Sequence, residues 1–104
     1  MWLVPPRLMC DQHLRGEHVE MHMFVGCIRL GKSIAGYLHK GLVEIDKLQQ
    51  RHDELAKEMK RRGNRHASPL LDFSWDGENG RVDVPASYRE LLRRCEKCRC
   101  KVLV

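Results

Sequence analysis

Leu42, Ile45, Leu48, His52, Leu55 and Met59 recur at intervals of three and four residues, with charged side chains between them. This is one stripe of an amphipathic helix. Lys60, Arg61 and Arg62 then lead into Gly63, the basic last turn that a helix dipole favours. An earlier helix begins between Arg7 and Asp11 and runs to Leu30, with Gly31 as its stop. At 100° per residue, Cys10, Leu14, Met21, Val25 and Ile28 form one apolar stripe of that helix, and Gly16, Val19, Met23 and Cys27 form a second. His13, Glu17 and Glu20 fall in the wedge between them, while Arg15, His18, His22 and Arg29 take the far side. Ser33 caps a short turn from Ile34 to His39 that ends at Gly41. Pro85 in a first turn, followed by Ala86–Arg94, gives a third long helix. Residues 64–83 carry Pro69, Gly77, Asn79 and Gly80 together with Asp72, Asp76, Glu78 and Asp83; they read as an acidic loop pinned by Phe73 and Trp75. The pattern predicts an all-α fold, a small compact bundle of about three helices with an irregular acidic loop before the last.

The chain of 104 residues is long enough for one domain, 1–104, with a modest core. Its net charge of +5 and pI near 9.1 favour an anionic partner. No apolar run is long enough for a membrane span, and the opening Met-Trp-Leu-Val is too short for a signal peptide, so no membrane partner is expected. Cys10, Cys27, Cys95, Cys98 and Cys100 are an odd number of cysteines, which fits free thiols in a reducing cytosol.

Carboxylates between two apolar stripes are costly to keep ionised and need a partner or a task. Glu17 and Glu20 therefore admit two readings. In one they pair with basic side chains of the neighbouring helix, where His52 is the obvious candidate. In the other a carboxylate is held partly desolvated beside a cleft, tuned for proton transfer. His18 and His22 have the i, i+4 spacing of a metal chelate. Arg15 and Arg29 on the same face oppose a cation there and suit phosphate better. Cys95, Cys98 and Cys100 contain half of a zinc knuckle and are metal candidates, with no second half evident along the chain. Two basic clusters lie at helix ends: Lys57, Lys60, Arg61, Arg62 and Arg65, then Arg89, Arg93, Arg94, Lys97, Arg99 and Lys101. Together they can bracket a phosphate backbone.

Asp11-Gln12-His13-Leu14, followed by Glu17 and Glu20, resembles the first-helix motif of the small phage-type pyrimidine-dimer DNA glycosylase/AP lyases, the endonuclease V enzymes of UV repair. The resemblance resumes in Lys47-Leu48, Arg51, Glu54, Glu58 and Arg61-Arg62-Gly63, and covers roughly residues 10–30 and 42–66. It implies a compact all-α DNA repair enzyme that needs no metal or other cofactor for its chemistry. It also implies a nucleophile that is the chain's own α-amine, a group that ordinarily titrates near about 7.7–8, well below lysine. The amine displaces the damaged base at C1′, and the resulting imine allows β-elimination of the strand. By the same resemblance Met1 supplies the nucleophile and Glu20 the catalytic carboxylate. Gln12 and His13 meet DNA, joined by the far-side residues Arg15, His18 and His22, while Glu17 and His52 support the site. The substrate is then double-stranded DNA, with a base extruded from the stack. The setting is a phage-encoded or prokaryotic cytosol, and the protein a monomer.

The chain departs from that pattern in four places. The bulky Trp2 predicts that Met1 is retained, where the family removes its methionine and begins with threonine. No arginine follows the nucleophile directly; Arg7 is the nearest. Two arginines of the family's first helix fall at Val19 and Met23, and its aromatic tail is replaced by the cysteine-rich one. The alternative is a non-catalytic helical module on the same scaffold that binds DNA or protein, zinc-stabilised through its C-terminal cysteines.

Overall fold

The computed structural model describes residues 1–64 and 68–102. Arg65, assigned to the first basic cluster, and residues 103–104 lie outside them. Five α-helices follow in order: α1 (Asp11–Arg29), α2 (Ala35–His39), α3 (Leu48–Arg61), α4 (Val84–Arg94) and α5 (Glu96–Val102). Short 3-10 turns at Pro6–Leu8 and Ile45–Lys47 precede α1 and α3. The fold is all-α, as the periodicity predicts, with α1, α3 and α4 as the three long helices.

The bundle is organised by α1 packing along α3. Leu14, Met21, Phe24 and Val25 of α1 meet Leu48, Leu55 and Met59 of α3, and Leu91 of α4 joins the same buried cluster. Met1, Val4, Met9 and Cys10 are also buried, so the first ten residues form part of the core. The ends of the helices follow local chemistry. Asp83 caps α4 by accepting a hydrogen bond from the Ala86 amide at 3.0 Å, and Pro85 stands in its first turn. Gly31 closes α1 at φ +71°. Ser33 accepts from the Ala35 amide at the head of α2.

Three expectations need correction. The helical stripe beginning at Leu42 does not start a helix there, and Leu42 is exposed. Residues 42–44 are non-helical, and the loop joins this segment. The Ile45 amide donates to the Asn79 carbonyl at 2.8 Å, and the buried Glu44 carboxylate accepts from the Val82 amide at 2.8 Å. Those tertiary bonds replace the helical ones. The second apolar stripe of α1 is not a packed face. Gly16 and Val19 are exposed, while Met23 and Cys27 are half-buried, because α3 covers only the opposite side of α1. The segment after Cys95 is a fifth helix, which packs on α4 and on the Pro6–Leu8 turn.

The acidic loop is irregular over residues 68–83, as expected. Phe73 and Trp75 are half-buried against the core. The Trp75 indole donates to the Glu78 carbonyl at 2.9 Å, and Arg29 holds the Asp72 carbonyl at 2.5 Å.

Candidate active site at the amino terminus

The wedge of α1 that holds His13, Glu17 and Glu20 faces the amino-terminal arm. Hydrogen bonds and buried side chains fix that arm. The Met1 side chain is buried, and its Sδ accepts from the Glu44 amide at 3.3 Å. The Trp2 carbonyl accepts from the Ser87 hydroxyl of α4 at 2.8 Å. The Leu3 amide points to Glu17 Oε2 at 3.4 Å, and Leu3 adopts φ +57°, a left-handed conformation that a side-chain-bearing residue takes only under constraint. Val4 is fully buried.

The result is an ion pair between the Met1 nitrogen and Glu20 Oε1. That oxygen is shielded from solvent, yet 31% of the Glu20 side chain stays exposed. The pair lines a cavity of about 360 Å³ bounded by Trp2, Tyr37, Lys40, Ser87 and Arg94. On the helical wheel Glu20 stands at the edge of the exposed arc of α1, which also contains Gln12, Gly16 and Val19. Gly16 has open space where a Cβ would stand. An amine and a carboxylate thus meet at an opening whose rim carries both cations, Lys40 and Arg94, and acids, Asp83 and Glu90, next to a smooth strip of helix.

Glu17 lies one turn earlier and is 2% exposed. It pairs with the equally buried Arg51 of α3 through two bonds, 2.6 Å to Nε and 2.9 Å to Nη2. The ion-pair reading of the wedge therefore holds for Glu17, with Arg51 rather than His52 as partner. His52 stands one residue along. Its Nδ1 is 2.9 Å from Asp53 Oδ1, and its ring lies 4.9 Å from that of His18, tilted, and 5.0 Å from that of His22, edge-on. His18 is buried and His22 half-buried in this trio, while Gln12 and Arg15 are exposed. The far side of α1 near its middle is thus turned toward α3.

His13 is half-buried at another cluster. Its Nδ1 is 3.2 Å from Cys10 Sγ and 3.9 Å from Cys98 Sγ. Cys10 Sγ is in turn 3.7 Å from Cys95 Sγ. Burial pushes the Cys98 thiol up to about 12. Burial alone would raise the Cys95 thiol, but hydrogen bonds from Cys98, Cys10 and the Lys97 backbone together draw it below its ordinary value. Cys100 is exposed and outside the group.

Several arginines of the basic clusters are engaged by carboxylates. Arg61 and Arg62 both bind Glu58, and Arg62 reaches on to Asp11 and the Pro6 carbonyl, tying the end of α3 to the start of α1. Arg93 and Arg94 share Glu90. Lys57 and Lys60 are exposed. The sequence does not mark Tyr37, Lys40 or Ser87 as parts of the site, and it marks Arg94 only as a member of a basic cluster and Arg51 only within the second-helix resemblance. Each joins the site through tertiary placement, and the spacing of Arg51 sets it on the apolar side of α3.

Residues 1–72 match the sequence profile of the pyrimidine dimer DNA glycosylases. The chain belongs to that family. The match spans the arm, α1, α2 and α3, and therefore both members of the amine–carboxylate pair. No curated protein and no solved structure matches the chain.

Proposed function

We propose that this protein is a DNA repair glycosylase with AP-lyase activity, in which the Met1 α-amine is the nucleophile and Glu20 the catalytic carboxylate. The observation that carries the reading is the contact between that amine and Glu20 at the mouth of a cavity, within the part of the chain that matches the family. Glu20 accepts a proton from the Met1 ammonium and frees its lone pair. The nitrogen attacks C1′, the glycosidic bond breaks, and the base leaves with the bonding electrons and a proton. Opening of the sugar gives an imine between C1′ and the amine. A proton is then taken from C2′, the C3′–O bond breaks, and the strand is cut. Water releases the sugar remnant and restores the amine. Glu17 supports the site by holding the Leu3 amide, and so the arm, while it is itself fixed by Arg51. Gln12 and Arg15 meet the duplex on the exposed side of α1, and Lys40 at the cavity rim attracts its phosphates. The proposed partner is double-stranded DNA, bound by a monomer in a phage-infected or prokaryotic cytosol. No helix among the described residues is long and apolar enough to cross a membrane.

The test is borohydride reduction on duplex DNA containing an abasic site, with the adduct mapped by mass spectrometry. The expected product is a covalent adduct on the Met1 nitrogen. An adduct on Lys40 would refute the assigned nucleophile. Salt-sensitive DNA binding with no adduct would refute the enzyme and favour the non-catalytic helical module.

A further inference from the structure

We propose that Cys10, His13, Cys95 and Cys98 form a structural zinc site that clips the C-terminal helix to the start of α1. This inference does not rest on the reading of the amine site. The four side chains come from two segments that are remote in sequence and have the same spacing, Cys10-x-x-His13 and Cys95-x-x-Cys98. Each segment is half of a zinc knuckle, and the fold brings the halves together. All four donor atoms lie within 4.8 Å of one another.

The distances suit a tetrahedron. With Zn–S near 2.3 Å and Zn–N near 2.0 Å, tetrahedral ligands stand about 3.8 Å apart for two sulfurs and about 3.5 Å apart for sulfur and nitrogen. Here Cys10 and Cys95 sulfurs are 3.7 Å apart, and the His13 nitrogen is 3.2 Å and 3.9 Å from the sulfurs of Cys10 and Cys98. Backbone amides already point at the sulfurs. The Cys98 amide donates to Cys95 Sγ at 3.4 Å, and the Cys10 amide to Cys98 Sγ at 3.3 Å. Such bonds stabilise thiolates in the shell around a metal. Three thiolates and one neutral imidazole around Zn²⁺ leave a net charge of −1. Binding the ion releases the three thiol protons to solvent and requires no oxidant.

The site also explains why a seven-residue helix is held at the end of the chain. Such a helix is too short to persist by itself, and Cys98 is its fully buried anchor. His13 also meets the Trp2 indole edge-on, with ring centres 5.9 Å apart, so an ion at this place would steady the residue next to Met1.

The test is metal analysis of the full chain purified under reducing conditions from zinc-supplemented medium. It is followed by X-ray absorption at the zinc edge and by cobalt(II) substitution. The expected result is one zinc per chain with three sulfurs at about 2.3 Å and one nitrogen at about 2.0 Å. Cobalt(II) is expected to give intense tetrahedral d–d bands and thiolate-to-cobalt charge transfer. Cys95→Ser, at a half-buried position, should lower the charge-transfer intensity by roughly a third, as one thiolate of three is lost. Cys100→Ser and Cys27→Ser should leave both stoichiometry and spectrum unchanged. Metal-free protein that takes up no zinc when reduced would overturn the proposal. So would a shell of nitrogen and oxygen only, an iron–sulfur chromophore in place of zinc, or loss of zinc from the Cys100→Ser variant.

Discussion

Glu17 and Arg51 form a two-pronged ion pair sealed between α1 and α3, each 2% exposed. The same carboxylate lies 3.4 Å from the Leu3 amide, where the backbone takes its left-handed turn toward Met1. One buried pair therefore joins the two main helices and orients the arm that carries the amine.

Removing Glu17 leaves the Arg51 charge buried, with one longer bond to the exposed Glu54 at 3.3 Å as its remaining ion pair. Glu17→Ala is expected to cost about 3–5 kcal/mol. In a domain of this size that lowers the melting temperature by more than about 12 °C. The double variant Glu17→Leu/Arg51→Leu should recover much of the loss, because no charge is left stranded. Circular dichroism melts of the two variants check this. A single variant within about 1 kcal/mol of the parent would contradict the buried pair.

Glu20 sits in a different environment, with about a third of its side chain open to the cavity. Glu20→Gln should fold with a melting temperature within a few degrees of the parent. On abasic duplex DNA its single-turnover cleavage rate should drop about 10²–10⁴-fold, the usual range for a lost acid–base group. DNA affinity at fixed salt should stay within a few-fold. Cleavage at the parental rate would remove Glu20 from the mechanism.

The helices were legible because their stripes and stops are local, and the wedge of α1 was legible because charged residues between apolar stripes are anomalous wherever they occur. What faces the wedge was not. Whether Glu17 finds Arg51 or His52 depends on one residue of rotation in α3, and the Met1–Glu20 contact depends on how an arm without periodicity folds back. The stripe at Leu42 misled because the loop captures Glu44 and Ile45 through backbone bonds that no spacing records. Along the chain three cysteines form a C-terminal trio, and only the fold brings Cys10-x-x-His13, which overlaps the first-helix motif, to two of them. The spacing of Cys10-x-x-His13 equals that of Cys95-x-x-Cys98, and this was the available signal.

Gly80 tests how the loop is seated. It has φ +78°, and a Cβ there would stand 2.5 Å from the Val43 carbonyl oxygen and 2.9 Å from a Leu38 methyl. The backbone oxygen cannot move away without disturbing the neighbouring bond from Ile45 to Asn79. Gly80→Ala should destabilise by at least about 1–3 kcal/mol, read from the urea midpoint at unchanged m value. Gly36→Ala, in α2 with open space around it, should be neutral or stabilising by up to about 1 kcal/mol. Equal effects of the two substitutions would contradict the seating of the loop on Val43.

Acid should act on the clasp between α3 and α1. The Arg61 guanidinium holds the Glu58 carboxyl down, against the effect of burial and with further help from Arg62, moving it from 4.5 to about 2. A carboxyl lowered on folding gives its stabilisation in full above its unfolded value. That contribution is lost as pH falls from about 4.5 through about 2. Unfolding free energy should therefore decline over this window, and Glu58→Gln should flatten the decline while lowering stability at neutral pH. Glu90 is also held near 2, by Arg93 and Arg94, but 36% of its side chain is exposed and its pairs are screened by water. Glu90→Gln should leave the acid limb almost as steep as in the parent. Urea titrations from pH 6 down to pH 2 separate the two carboxylates, and an acid limb that persists unchanged in Glu58→Gln would place the acid sensitivity elsewhere in the chain.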